Sequence, residues 1–529
     1  GGLTDCGPKV IESLPMLRAM TGSTYNINED GNAMMSIVRI TGKDGLCYQP
    51  VENRPWAFFD DYSRQRGTPF ADVFGEGRQL LAYAAWYQHD QNPLWRDLAQ
   101  RKMRRLLELT LPKEDTLYFR TSRGYNPWDK DQAQGELVPI GDHHVYEAEK
   151  GMVGTAAACV SGFIPMAGAI WYRLTEDPSY RELSRGLAKY LYLYGELLDA
   201  ETGQFLADHE THVTHSLIAN LSWALTFDDR EMVPWVKRGY DYFLNTFDPD
   251  NSGVLFSQEA CRVGDLIGLG IMLSQSGEGD YWDTVDHLIR NTFLNMQVTQ
   301  ADWIKSKPLE IRGTLDAGWY QPLDGADWCV GVWRHYLETT REQAAGCCNG
   351  NCSRMLYYIW DNIITMKDSA LKVNLLLNRA SPWADVDSWL PYEGRVKIIL
   401  KSDQEDLQIR IPEWTEGKQV SCSMGGETVS GSWSGRYYSV GKVKKGEGVL
   451  IEFPIKTRTL KARLKTMASK DGEQETWDEH QCAIRYRGST LIDITPSLHY
   501  PLAEHEKYRT DKAPMKKITR FVSEERFLF

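Results

Sequence analysis

Between residues 75 and 366 the chain spells out one apolar stretch after another at helical spacing. GEGRQLLAYAAWYQ (75–88), LWRDLAQRKMRRLLELT (94–110), the segment 151–175 and YRELSRGLAKYLYLYGELL (180–198) open the series. Segments 215–225, 230–247, 261–275, 281–297 and 352–366 continue it. Apolar residues recur at i, i+3, i+4 and i+7, and the connections carry Gly, Asp and Pro. So many consecutive helices with mostly short connections bury their apolar faces on one another as antiparallel hairpins. Segments 151–171 and 261–273 are apolar on nearly every side, as helices surrounded by neighbours must be. No fixed-period repeat is legible, which disfavours a solenoid. The expected architecture of residues 1–366 is therefore an (α/α) toroid, a barrel of inner and outer helices. Gly264, Gly268 and Gly270 fall inside one of its helices and predict close helix packing rather than a phosphate loop. Residues 301–346 break the pattern and hold many Trp, so they read as a long loop over the barrel mouth, where function concentrates.

After Lys367 the period changes to two. ALKVNLLLN (370–378), GRVKIILKS (394–402) and DLQIRIPEW (406–414) read as strands, with Leu407, Ile409 and Ile411 alternating against Gln408 and Arg410. Residues 436–455 read as strand, a turn at Lys445-Gly446-Glu447-Gly448, then strand. A β-sandwich is expected over 367–465, and a second β-module or extension over 466–529, whose tail from 503 is charged and poorly periodic. The class is α+β, multidomain.

Asp+Glu number 72 against 60 Lys+Arg, a net charge of −12. An acidic surface repels phosphate backbones and anionic lipid, so nucleic acid and membrane surfaces are poor partners. No apolar run is long enough to span a bilayer, so membrane insertion is not expected. The chain holds 18 Trp and 26 Tyr. Flat aromatic faces suit both sugar C–H surfaces and large helical cores. The expected partner is an oligosaccharide or glycan substrate, with a homodimer as a further candidate assembly. The Gly1-Gly2 start without Met fits a removed natural N-terminus, with bacterial periplasm favoured over cytoplasm.

Ten cysteines in a chain this long are not a disulfide framework. Cys329, Cys347, Cys348 and Cys352 crowd together, and Glu259-Ala260-Cys261 and Cys347-Cys348 each stand just before an expected helix. Helix N-termini favour thiolates. One carboxylate and three thiolates from these two groups make a set that zinc accepts, against the alternative of buried free thiols.

The order Glu259-Ala260-Cys261, an apolar helix, Tyr281 to Asn291, then Cys347-Cys348-Asn349-Gly350-Asn351-Cys352-Ser353-Arg354-Met355-Leu356 resembles glycoside hydrolase family 127, the β-L-arabinofuranosidase-like group. Val73-Phe74-Gly75-Glu76-Gly77-Arg78 resembles its early helix, and LPYEGRVKIIL, LQIRIPEW and GVLIEFPI its β-sandwich. The resemblance runs in order over roughly residues 70–460. It implies an (α/α)-barrel with β-sandwich modules and a Zn2+ ion held by Glu259, Cys261, Cys347 and Cys348. It implies Cys347 as the nucleophile of a retaining exo-glycosidase. It also places Glu76 on an active-site helix as a substrate-binding candidate. Three departures stand out. Ala260 replaces Thr of the family's E-T-C, Asn349-Gly350 replaces Pro-Pro, and Phe243 occupies the position of the acid/base glutamate. Asp250 and Asp327 are the acid/base candidates in its place, with Asp248 and Asp324 nearby.

Other residues fit a sugar pocket. His209, His212 and His215 are spaced to share a helical face, and their order is not H-E-x-x-H, which disfavours a zincin. His212 and His215, His143 and His144, and Trp328 and Trp333 are the substrate-contact candidates, with Trp319, Tyr320 and Tyr336 in the same loop. Two other functions compete. A polysaccharide lyase of toroid-plus-sandwich type would use Tyr and His without a cysteine cluster. A catalytically degenerate glycan-binding protein would lack the acid/base.

Overall fold

The structure, a computed structural model, describes residues 6–49, 70–119, 127–129, 153–154, 157–158, 162–207, 209–300, 330–337, 347–367, 369–471, 474–514 and 520–529. His143, His144, Asp324, Asp327, Trp328, Trp319 and Tyr320 lie outside these residues.

The described helices are α1 (Cys6–Thr21), α2 (Ile27–Ile40), α3 (Val73–Asp90), α4 (Pro93–Glu108), α5 (Ile164–Thr175) and α6 (Pro178–Leu193). They continue as α7 (Glu210–Phe227), α8 (Val233–Phe247), α9 (Ala260–Ser276), α10 (Trp282–Asn291) and α11 (Cys348–Asn362). The odd-numbered helices pack in a closed cycle: α1 on α3, then α5, α7, α9 and α11, which returns to α1. Each even-numbered helix lies against the helix before it.

The residues account for this division. α9 is buried from Ala260 to Leu273 and is apolar or small almost throughout, so it can be surrounded. α4 buries Trp95, Leu98, Ala99, Lys102, Met103 and Leu106, one stripe at i, i+3, i+4 and i+7, so it can lie only on the outside. Asn92 and Asp177 start α4 and α6, accepting the backbone N–H of Leu94 at 3.0 Å and of Ser179 at 2.9 Å ahead of Pro93 and Pro178. Gly268 meets the expectation of close packing: a Cβ there would fall 2.6 Å from Ile218, 2.8 Å from Phe529 and 2.9 Å from Met355.

α1 and α2 carry no clean periodic signal. α1 contains Pro15 and buries Lys9 and Glu12, so its helical state is decided by packing on α3 and α11. The expected helix over 352–366 ends at Asn362. Ile364 to Lys367 form a strand instead, because Ile364 and Thr365 are β-branched and pair with Val373 and Lys372.

Two short elements decorate the helices: a sheet of β1 (Tyr48–Gln49), β2 (Phe70–Asp72) and β5 (Pro127–Asp129), and a hairpin of β3 (Thr110–Lys113) and β4 (Thr116–Phe119). After α11 come β6 (Ile364–Lys367), β7 (Ala370–Val373), β8 (Arg379–Ala380), β9 (Ala384–Ser388), β10 (Arg395–Leu400) and β11 (Gln404–Arg410). β12 (Ser421–Met424), β13 (Glu427–Thr428), β14 (Ser432–Ser434), β15 (Tyr437–Val443) and β16 (Gly448–Glu452) follow. They form one sheet in the order β14-β15-β11-β7-β6 and another in the order β13-β12-β16-β10-β9-β8. Leu371, Val373, Leu407 and Ile409 of the first share an apolar core with Val386, Val396, Ile398, Val449 and Ile451 of the second.

The last sheet, β17 (Thr457–Asp471), β18 (Gln474–Arg487) and β19 (Thr490–Thr495), packs elsewhere. Its Ala462, Leu464, Ile484, Tyr486, Leu491 and Ile494 belong to the core of the helices. The sequence boundary at 465 falls inside β17. The chain end also returns to the helices. Tyr357 Oη accepts the Phe527 N–H at 3.0 Å, and the Phe529 ring stacks on Tyr358 at 4.0 Å. Among the described residues no helix is long and apolar enough to cross a membrane.

Candidate metal centre

The cycle of odd-numbered helices brings several N-terminal turns together. Cys261 lies in the first turn of α9, Cys348 opens α11, and Cys347 is its N-cap. The three sulfurs lie within 4.8 Å of one another. Cys261 and Cys348 are buried, whereas Cys347 keeps partial exposure. Gly350 lets α1 approach, since a Cβ there would sit 2.4 Å from the Lys9 carbonyl carbon.

The thiols share protons in one direction. Hydrogen bonds from Cys261 and Cys348 hold the Cys347 sulfur far below the ordinary thiol range, and the charge of Lys9 adds to this. Donation to its two neighbours, with burial, pushes Cys261 well above that range. Cys348 receives a bond from Cys261, but its donation to Cys347 and its burial raise it as well. These directions make Cys347 the sulfur of the three that most readily carries negative charge. Loss of the protons on the other two leaves three sulfur anions around one point, a donor set that suits zinc.

Glu259 and His335 stand outside the trio of sulfurs. Glu259 Oε1 lies 2.8 Å from His335 Nε2, and Oε2 accepts from Thr211 Oγ1 at 2.6 Å. His335 Nδ1 lies 3.6 Å from Cys348 Sγ. Burial opposes charge on Glu259, yet His335 holds its carboxyl well below the usual range. Burial lowers His335, and Glu259 more than compensates. The segment carrying His335 is pinned by its backbone. The Ala260 N–H donates to the His335 carbonyl at 2.8 Å, and the Arg334 N–H to Met296 at 2.7 Å.

Behind the sulfurs runs a buried polar network. His215 Nδ1 bonds Asp265 Oδ2, and Arg78 Nη2 lies 3.4 Å from His215 Nε2. Asp265 also accepts from Thr214 at 2.9 Å and from Asn351 Nδ2 at 3.4 Å. Arg354 donates to Asn351 Oδ1 at 2.9 Å and to Glu12 at 3.3 Å, joining α11 to α1. Burial, then the Arg78 charge, holds His215 well below its usual value, so it is neutral. Arg78 then meets a bare Nε2, and the proton sits on Nδ1 facing Asp265. Burial raises Asp265 to about 6. His212 and His215 lie on α7 and His209 is its N-cap, with successive ring centroids 4.2 and 5.9 Å apart.

Three candidates have partners of their own. Glu76 is fully buried, paired with Lys102 and accepting the Cys47 N–H at 2.8 Å. Asp250 accepts the Arg463 backbone N–H at 2.9 Å and its Nε at 3.2 Å. Those bonds lower its pKa. Trp333 is 2% exposed and packs on Phe293 at 5.5 Å. Asp248 is raised to about 7 by burial, but it accepts from Ser252 N and Oγ at 2.6 Å and from Gly253 N at 2.8 Å, closing its own turn.

Sequence reasoning missed His335, Asp265, Lys9 and Glu12. Asn351 and Arg354 were visible inside the Cys-Cys motif, at one face of α11, without an assigned role. His335 had no signal at all, since a histidine in an aperiodic segment has no periodic neighbour to place it.

The fold defined by this helical cycle and its appended sheets is similar to that of glycoside hydrolases of family 127. No family model matches the sequence and no curated protein matches it. The particular structures are a GH127 β-arabinofuranosidase, superposing over 92% of this chain and 74% of its own at 14% identity with a TM-score of 0.61, and the GH127 β-L-arabinofuranosidase of Geobacillus stearothermophilus T6, over 92% and 75% at 14% identity with a TM-score of 0.55. A further glycoside hydrolase structure superposes over 92% and 76% at 15% identity with a TM-score of 0.57.

Proposed function

We propose that the protein is a retaining exo-glycoside hydrolase that releases a terminal sugar from a plant or algal glycan, with zinc at the three-cysteine centre and Cys347 as nucleophile. In this reading the helical cycle is an (α/α) toroid and the two sheets with a common core are a β-sandwich. The observation that carries it is the Cys347 sulfur. It is the partly exposed member of the trio and the one its neighbours hold as thiolate.

Zinc, when bound, supplies the positive charge that keeps thiol sulfurs deprotonated at neutral pH. The Cys347 sulfur then attacks the anomeric carbon. The glycosidic C–O bond breaks, the leaving oxygen takes up a proton from solvent, and a thioglycoside forms on Cys347. Water next attacks the same carbon and gives up a proton to solvent, the C–S bond breaks and the sulfur regains its electron pair. Two inversions give net retention. The buried network from Glu12 to Arg78 holds the N-terminal turns of α1, α3, α7, α9 and α11 in register behind the sulfur.

The test begins with elemental analysis of protein purified under reducing conditions, beside Cys347→Ser. We expect about one zinc per chain, reduced in the variant. Aryl glycosides, β-L-arabinofuranosides included, are then screened, and a slow substrate should add one glycosyl mass to Cys347. Absence of zinc with freely alkylated thiols refutes the reading. Unsaturated, ultraviolet-absorbing products would identify a lyase, and glycan binding without turnover a binding protein.

A further inference from the structure

We propose that the outer face of α2 is a homodimer interface, on which α2 of one copy packs antiparallel against α2 of a second copy about a two-fold axis. The inference is independent of the zinc reading above.

α2 is poorly covered for an outer helix. It buries Asp30, Met34 and Ile37 of its 14 residues, whereas α6 buries eight of 16. A helix that lies on a core turns polar residues to water. α2 instead presents Ile27, Gly31, Met35 and Arg39 as one exposed row, each four residues from the next. Tyr25, Ile27, Met35, Phe521 and Val522 are five of the twelve exposed large apolar side chains among the described residues, between 38% and 78% exposed. The two segments that carry them meet at Gly22, where φ is 64° and a Cβ would fall 2.4 Å from Phe521 Cδ2. Apolar side chains gathered in this way mark an association surface.

The row is complementary to itself, which singles out a second copy as the partner. Rows of residues four apart pack into the grooves of a facing helix. With the two helices antiparallel and the two-fold axis midway between positions 31 and 35, Met35 of each copy stands opposite Gly31 of the other. A Cβ built at Gly31 meets nothing within 4 Å, so the position is open. A cavity of about 330 Å³ opens beside it, lined by Ile27, Gly31, Trp86, His89 and Phe521 among others. A flexible thioether from the partner fills such a socket well.

Charge sets the direction of the pair. Glu29 lies in the first turn of α2 and Arg39 in its last, and both are exposed. Antiparallel packing brings each Glu29 toward the other copy's Arg39, and the symmetry makes that contact twice. Parallel packing would set Glu29 against Glu29 and Arg39 against Arg39.

The experiment is sedimentation equilibrium on the full chain, with far-ultraviolet circular dichroism to confirm that each variant is folded. The wild type should have twice the mass of one chain in the micromolar range. Met35→Glu puts a charge at the centre of the interface and should raise the dimer Kd about 30-fold or more. Arg39→Glu should raise it about 10-fold or more, because each substitution acts on both contacts. The double variant Glu29→Arg with Arg39→Glu exchanges the charges and should recover the wild-type Kd to within a few-fold. A wild-type chain that stays monomeric throughout the micromolar range overturns the proposal. A dimer that Met35→Glu leaves intact overturns it too, since the contact then lies on another face. A double variant no better than Arg39→Glu refutes the antiparallel pairing.

Discussion

Replacing Gly350 with Ala tests the closure of the helical cycle. The new Cβ would lie 2.4 Å from the Lys9 carbonyl carbon and 2.5 Å from Val10 N, where ordinary contact begins at 3.4 Å. Both atoms are backbone, so α1 itself must retreat by the difference, 3.4 − 2.4 = 1.0 Å. Gly268→Ala is the matched control. Its Cβ meets Ile218 Cδ1, Phe529 Cζ and Met355 Cε at 2.6, 2.8 and 2.9 Å, the ends of side chains that can turn away. Overpacking costs about 1–3 kcal/mol, and a Gly-to-Ala change in a helix returns about 1 kcal/mol. The control should therefore lose between nothing and about 2 kcal/mol, and Gly350→Ala about 2 kcal/mol or more. Thermal unfolding followed by circular dichroism should rank Gly350→Ala below Gly268→Ala. Gly350→Ala should also release zinc to a chelator more readily, because Lys9 and the first turn of α11 move apart. If Gly350→Ala melts at or above the control and keeps its zinc, then α1 does not lie on α11 and the argument fails.

Lys102→Met leaves Glu76 buried without its cation, at a cost of about 3–5 kcal/mol. The deficit should grow with pH. Burial raises folded Glu76 from 4.5 to about 6 even with Lys102 opposing, so its ionisation between those values already costs stability, and losing Lys102 extends the penalty upward. Urea unfolding at pH 5 and pH 8 should show the smaller loss at pH 5, and an equal loss at both would refute the pairing. Trp333→Ala removes a buried ring set against Phe293 and should cost about 3–5 kcal/mol in stability. An unchanged melting temperature with weakened sugar binding would restore Trp333 as a stacking platform.

Much of the helix succession, from α3 to α11, and the switch to strands after it were legible because periodicity is a local property. Each apolar stripe, such as that of α4, declares its own partner face without reference to the rest of the chain. The adjacent cysteines and the Glu-Ala-Cys turn were legible for a related reason. Thiols at helix starts are a local signature, and the shared resemblance joined the two groups before any distance was known.

Long-range packing decided the rest. α1 reads poorly because Pro15, Lys9 and Glu12 interrupt its stripe, yet it closes the cycle, since Glu12 and Gly350 find partners hundreds of residues away. Glu76, Asp250 and Trp333 look functional by residue type, and each is claimed by a partner that no spacing rule connects to it: Lys102, Arg463 and Phe293. His335 is the converse case, an unremarked histidine that the pairing of residues 331–334 with 296–298 sets between Glu259 and Cys348. A sequence carries residue type and period along one dimension, and these placements depend on which surfaces meet when the helices close.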